Sequence, residues 1–217
     1  VTQNSNVRGA VADIIGARAV VAVVEIADPS HAPALAETLG EAGISAIEIT
    51  ARTPAVMAAI EAASQTHALP VGAGTIHSVA LAKDAVSAGA QFLVAPTFDR
   101  SVSDYSNARG VPLISGGVTP TEVGLLQAAG FREAKIFPAA QFGGLGLIKS
   151  LAAVFPDMAF MPTGGVGHDE ALAYLAHPQV MAVGGTWIAP RTLIESEDWA
   201  EIRRRAVAIV EELEREA

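Results

Sequence analysis

The sequence predicts an α/β chain folded as a single-domain (β/α)8 barrel, the TIM-barrel class, over residues 1–217. Three observations carry that reading. Eight short β-type runs recur along the chain, and Ala-rich stretches with helical spacing separate them. The first run also lacks the glycine fingerprint that would open a dinucleotide-binding sheet.

The runs are Val20–Ile26, Ile44–Thr50, Leu69–Ala73, Gln91–Ala95, Val111–Ser115, Ala134–Phe137, Met158–Met161 and Val180–Val183. The apolar mass is Ala, Val, Ile and Leu, with aromatics only 5%, as expected where helices cover parallel strands on every side. The intervening stretches, about 10 to 15 residues each, fit crossover helices. Their starts are marked by Pro29-Ser30, Thr53-Pro54, Ser78, Thr119-Pro120 and His168-Asp169, all suited to N-cap or first-turn positions. Three helices are expected to end at Glu41-Ala42-Gly43, Ser87-Ala88-Gly89 and Ala128-Ala129-Gly130, where glycine can take the left-handed conformation. An open doubly wound sheet is the alternative. Against it, Ala27-Asp28-Pro29-Ser30 follows the first strand, where G-x-G-x-x-G would be required. Val1–Ile15 is expected to form a short extra helix capping the barrel floor, and Ile202–Glu216 the last outer helix.

With 51% hydrophobic and 17% charged residues, the chain can bury one sizeable core without metals or disulfides. A net charge of -9 argues against a nucleic-acid partner, because that binding is driven by cations neutralising phosphates. Arg203, Arg204 and Arg205 are followed by Glu211, Glu212, Glu214 and Glu216, so they read as a solvated helix face. There is no cysteine, hence no thiolate metal site or disulfide. The apolar stretch Ala17–Ile26 is too short to cross a bilayer, and Val1–Arg8 lacks the order of a signal peptide, so a cytoplasmic protein without membrane partners is expected.

In such a barrel the chemistry lies at the carboxyl ends of the strands. Two of the three lysines, Lys83 and Lys149, suit outer helix faces; the third, Lys135, stands in the apolar phrase Ala134-Lys135-Ile136-Phe137-Pro138. A buried ammonium is costly unless paired, desolvation favours the neutral amine, and a neutral amine can attack a carbonyl to form a Schiff base. A lysine that snorkels to solvent or merely pairs with Glu48 is the alternative. In Ala46-Ile47-Glu48-Ile49-Thr50, alternation puts Glu48 on the face opposite Ile47 and Ile49, towards the barrel interior, where a carboxylate can shuttle protons. Arg52, just past that strand, suits a two-pronged grip on a carboxylate, with a plain surface arginine as the alternative. Pro162-Thr163-Gly164-Gly165 and Gly184-Gly185-Thr186 follow strands seven and eight, whose loops often hold a phosphate. The five histidines show no metal-ligand spacing, and no P-loop, G-x-S-x-G or H-E-x-x-H is present, so no metal or other cofactor is expected.

Five phrases, Glu48-Ile49-Thr50-Ala51-Arg52-Thr53, Gly72-Ala73-Gly74-Thr75, Lys135-Ile136-Phe137-Pro138-Ala139, Pro162-Thr163-Gly164-Gly165-Val166 and Gly184-Gly185-Thr186-Trp187, occur in an order that resembles the bacterial 2-keto-3-deoxy-6-phosphogluconate (KDPG) and 4-hydroxy-2-oxoglutarate (KHG) aldolases over most of the chain. The resemblance implies a metal-independent class I aldolase, commonly a homotrimer, that takes a phosphorylated 2-keto acid to pyruvate and an aldehyde. It implies Lys135 as the Schiff-base lysine and Glu48 as the proton shuttle. Arg52 and Thr75 would lie around the pyruvyl carboxylate, with Pro96, Phe137 and Thr163 also against the substrate, and Gly164, Gly165, Gly185 and Thr186 would hold the phosphate. This chain departs from the family pattern at Ala95-Pro96-Thr97 and Ser115-Gly116, which are expected to line the mouth, and at Glu25, where some relatives carry a basic residue. Those departures bear on the aldehyde rather than on the lysine. A pyruvate-type aldolase for a different aldehyde, a phosphate-binding barrel isomerase or epimerase, and a non-catalytic binder of a phosphorylated ligand are the rival readings.

Overall fold

A computed structural model describes residues 11–215, and its elements alternate along the whole of that span. After a one-turn helix α1 (Ala12–Ile15) come β1 (Ala19–Val24), α2 (Ala32–Glu41), β2 (Ala46–Thr50), α3 (Val56–Ser64), β3 (Val71–Gly74), α4 (Val79–Ser87), β4 (Phe92–Val94) and α5 (Arg100–Arg109). The second half runs β5 (Leu113–Gly116), α6 (Pro120–Ala128), β6 (Glu133–Ile136), α7 (Gly144–Val154), β7 (Ala159–Pro162), α8 (His168–Leu175), β8 (Ala182–Gly185), α9 (Arg191–Glu195) and α10 (Trp199–Arg215). Each of the eight expected runs holds a strand, displaced by a residue or two.

All ladders are parallel, in the order β7-β6-β5-β4-β3-β2-β1-β8. The bridges Phe160↔Val180 and Thr163↔Gly184 join β7 to β8, so the sheet meets itself as a (β/α)8 barrel.

Alternation along the strands sorts the side chains into two layers. Val20, Ala22, Val24, Ile47, Ile49, Ala134 and Ile136 face outward into a core shared with the helices. Val21, Ala46, Phe92, Val94, Ile114, Met161 and Ala182 face inward and fill the lower barrel. Phe92 fits there because a β-carbon on Gly72 would fall on its ring. Burying each such Ile, Leu or Phe contributes roughly 1.5–3 kcal/mol. At the amino ends of the strands Val11 and Ile15 join the inner layer, and the N–H groups of Val11 and Ala12 donate to the carboxylate of Glu133 at 2.9 and 3.1 Å. Residues 1–10 of the expected floor helix lie outside the described residues.

The local signals act largely as their chemistry dictates. Ser78 caps α4, and Thr119 with Glu122 forms a capping box on α6. Gly43, Gly89 and Gly130 all sit at positive φ after their helices. Thr53 differs: its hydroxyl donates to the Ile26 carbonyl at 2.7 Å, and α3 begins only at Val56. A cross-strand acceptor satisfies the side chain before a helix end can. The last helix starts at Trp199, three residues before the expected Ile202, because Asp198 accepts from Glu201 N and extends the first turn. No helix among the described residues is long and apolar enough to cross a membrane.

Candidate active site

Above the inner apolar layer, the barrel interior turns polar. Glu48 and Thr50 continue the inward face that begins at Ala46, and Lys135 continues the one that begins at Glu133. Parallel closure brings residues from β2 and β6, far apart in sequence, to one depth. Lys135 Nζ donates to Glu48 Oε1 at 3.1 Å, with the lysine side chain 6% exposed and the glutamate fully buried. Gly74 makes room for this pair, since a β-carbon there would collide with the Glu48 carboxylate.

A small cavity of about 150 Å³ opens over the pair, lined by Val23, Glu48, Thr50, Arg52, Lys135, Phe137, Thr163, Gly164, Gly165, Val166, Gly185 and Thr186. Nine of the eleven candidates chosen from sequence thus share one wall; Thr75 and Pro96 stand at neighbouring strand ends outside it. Thr75 holds φ +63°, a strained conformation for a β-branched residue, and Pro96 lies with its carbonyl against the backbone of Gly116. Val23, Thr50 and Val166 line the cavity without having been singled out. Thr50 was legible as the next inward position after Glu48, but its hydroxyl donates to the Val24 carbonyl at 3.0 Å, which spends its donor on the strand wall.

The two oxygens of Glu48 differ. Oε1 accepts from Lys135, while Oε2 is buried and accepts no hydrogen bond among the described residues. A buried carboxylate oxygen left in this state is costly. Phe137 places its ring 5.4 Å from Lys135 Nζ and against Gly164, so one aromatic links the amine to the first glycine loop. Gly164 and Gly165 take φ +88° and +71°, and a β-carbon on either would press on Phe137 or Ala140.

One expectation about the mouth changes. Ser115 faces outward, and its hydroxyl donates to the Thr97 carbonyl at 3.0 Å, so these residues tie β4 to β5 and do not line the cavity. Glu25, two positions beyond Val23 on the inward face, accepts from Arg191 Nη1 at 3.0 Å. The remaining lysines, Lys83 and Lys149, are exposed on α4 and α7. No group of three His, Cys, Asp or Glu side chains suited to hold a metal occurs among the described residues.

Comparison with known proteins gives a consistent result. The family model for KDPG and KHG aldolase matches residues 11–205. A 2-dehydro-3-deoxy-phosphogluconate aldolase of Pseudoalteromonas atlantica is 36% identical over 200 residues, 90% of this chain and 93% of its own length. The crystal structure of the Legionella pneumophila KDPG aldolase, with pyruvate captured at low pH as a covalent carbinolamine, superposes with a TM-score of 0.85 at 34% identity, covering 90% of this chain and 95% of that one. The Zymomonas mobilis ZM4 KDPG aldolase, crystallised with 3-phosphoglycerate, superposes with a TM-score of 0.87 at 32% identity, covering 94% and 95%.

Proposed function

Because the chain belongs to the KDPG and KHG aldolase family, we propose that it is a class I aldolase that reversibly cleaves 2-keto-3-deoxy-6-phosphogluconate to pyruvate and glyceraldehyde 3-phosphate, and also accepts 4-hydroxy-2-oxoglutarate. The observation that carries the proposal is the buried Lys135–Glu48 pair, 3.1 Å apart beneath an open cavity.

Lys135 Nζ gives a proton to Glu48 and attacks the C2 carbonyl of the bound keto acid. The resulting carbinolamine loses its hydroxyl as water when Glu48 returns the proton, leaving a cationic iminium. Removal of the C4 hydroxyl proton by Glu48 then drives cleavage of the C3–C4 bond, and the electron pair moves into the iminium to give an enamine. The aldehyde leaves, a proton is added at C3, and water hydrolyses the iminium to release pyruvate and the free lysine. No redox partner enters this sequence, and every proton has a carrier in Glu48 or water.

Arg52 at the cavity rim suits the substrate carboxylate, with Phe137 and Thr163 around the keto-acid carbons, while Thr75 and Pro96 stand outside the cavity at neighbouring strand ends. The backbone N–H groups of Gly164, Gly165, Gly185 and Thr186 suit the terminal phosphate. The chain would act as a homotrimer, and Leu125, Phe142 and Val154, more than half or half exposed on α6, the turn before α7 and α7 itself, supply apolar area for subunit contact.

Borohydride added with pyruvate tests the covalent step. Mass spectrometry should find a reduced adduct on the peptide holding Lys135; an unmodified Lys135, or an adduct on Lys83 or Lys149 alone, would sink the proposal.

A further inference from the structure

The glycine loops after β7 and β8 have little stiffness of their own, yet a phosphate site needs its N–H groups aimed before the ligand arrives. Both loops are tied from outside the barrel to a single helix. In α10, Glu201 and Arg205 are four residues apart and Glu212 follows seven later, which puts all three on one stripe.

Arg205 Nη1 donates to the Trp187 carbonyl at 2.8 Å while its Nε donates to Glu201 Oε1 at 2.7 Å, so the guanidinium is anchored on its own helix. The Trp187 ring in turn fills the space that a β-carbon on Gly185 would occupy. The absence of a side chain at 185 is therefore explained by the tryptophan outside, and Arg205 fixes the main chain of the residue that carries this ring. Two turns further along α10, Glu212 Oε2 lies 3.0 Å from Nε2 of His168, the first residue of α8 and three positions after Gly165. Within that loop Glu170 also takes the N–H of Gly167 at 3.1 Å.

We infer that the Glu201–Arg205–Glu212 stripe of α10 positions the phosphate end of the site, Arg205 through Trp187 and Glu212 through His168. This inference rests on the proposed phosphate role of the glycine loops. The stripe touches neither Lys135 nor Glu48, whose strands are β6 and β2, so its loss changes how the phosphate is held and leaves the covalent chemistry intact.

Steady-state kinetics on 2-keto-3-deoxy-6-phosphogluconate and on the same acid without its phosphate test this. In Arg205→Ala, KM for the phosphorylated acid should rise roughly tenfold, the scale of one charge-assisted hydrogen bond, while its kcat and the KM of the unphosphorylated acid stay within about twofold. Arg205→Lys keeps a donor for the Trp187 carbonyl and should recover part of the loss. Glu212→Ala should raise the same KM only about twofold, because its pair with His168 is partly exposed. The inference is overturned if both substrates lose affinity together, as general loosening would cause, or if neither does. A wild-type enzyme indifferent to the phosphate would overturn the phosphate reading and this inference with it; a wild-type preference that survives Arg205→Ala overturns the inference alone.

Discussion

The barrel buries two glutamates on inward faces, Glu48 near the carboxyl ends of the strands and Glu133 at their amino ends, and the two are held in opposite ways. Both oxygens of Glu133 are taken by backbone N–H groups, of Val11 and Ala12, and the result is a closed tie at the barrel floor. Glu48 has one oxygen on the Lys135 ammonium and the other unclaimed, beneath a cavity. The lesson is that burial alone does not make a carboxylate a candidate for proton transfer. What separates the pair is unused hydrogen-bonding capacity beside an amine with access for a ligand.

The largest test of that contrast is Lys135→Met. Without the amine there is no iminium, and turnover should fall by at least about four orders of magnitude, with borohydride trapping abolished. Removing one partner of a buried pair also costs about 3–5 kcal/mol, less whatever Glu48 recovers by taking up a proton, and thermal unfolding measures that loss. Glu48→Gln should come next. It keeps the volume and one oxygen beside Lys135 but cannot carry a proton, so kcat should drop roughly 10²–10⁴-fold while a slow borohydride adduct still forms. An activity near wild type in Glu48→Gln would erase the distinction drawn between the two glutamates.

Gly74→Ala is subtler, because it alters no ionisable group. Its methyl must displace the Glu48 carboxylate, and kcat should fall about tenfold to a hundredfold through misplacement, alongside an overpacking cost of about 1–3 kcal/mol. Kinetics at a temperature well below unfolding separates the two effects.

Glu133 gives the smallest effect, seen in stability and not in turnover. Burial pushes its carboxyl above the ordinary glutamate range, with nearby Asp13 adding to the rise, while the hydrogen bonds from Ala12 and Val11 pull the other way. With the native value raised, the unfolded chain holds fewer protons than the native one between the ordinary and the raised value. Its contribution to stability is therefore complete below the ordinary range and declines as pH climbs through the raised value. Comparison of melting temperatures across that window with those of Glu133→Ala should show the decline in the wild type only. The variant itself should be less stable at every pH, by about 1–3 kcal/mol for buried N–H groups left without an acceptor, with kcat preserved.

Much of this was readable along the chain, for local reasons. Ser78 and Thr119 cap helices because their hydroxyls lie three residues from free N–H groups. The alternation Ala46-Ile47-Glu48-Ile49-Thr50 placed Glu48 inward since a strand has only two faces. Lys135 stood out as a charge in an apolar strand. Other features were out of reach. Ser115 belongs to the wall, a matter of which face a single strand residue takes when its run is only four long. Gly185 reads in the sequence as part of a phosphate loop and Gly74 as part of a strand-end phrase; that the Trp187 ring and the Glu48 carboxylate fill the space beside them is visible only in the fold.

The order of strands and helices, the inward face of β2 and the identity of the odd lysine follow from the sequence itself, because propensity, capping and alternation act over a few neighbouring residues. Closure decided the rest. Only when β7 meets β8 do β2 and β6 face each other across the barrel at one depth, and the 3.1 Å between Lys135 and Glu48 is set by that geometry and by nothing local to either residue.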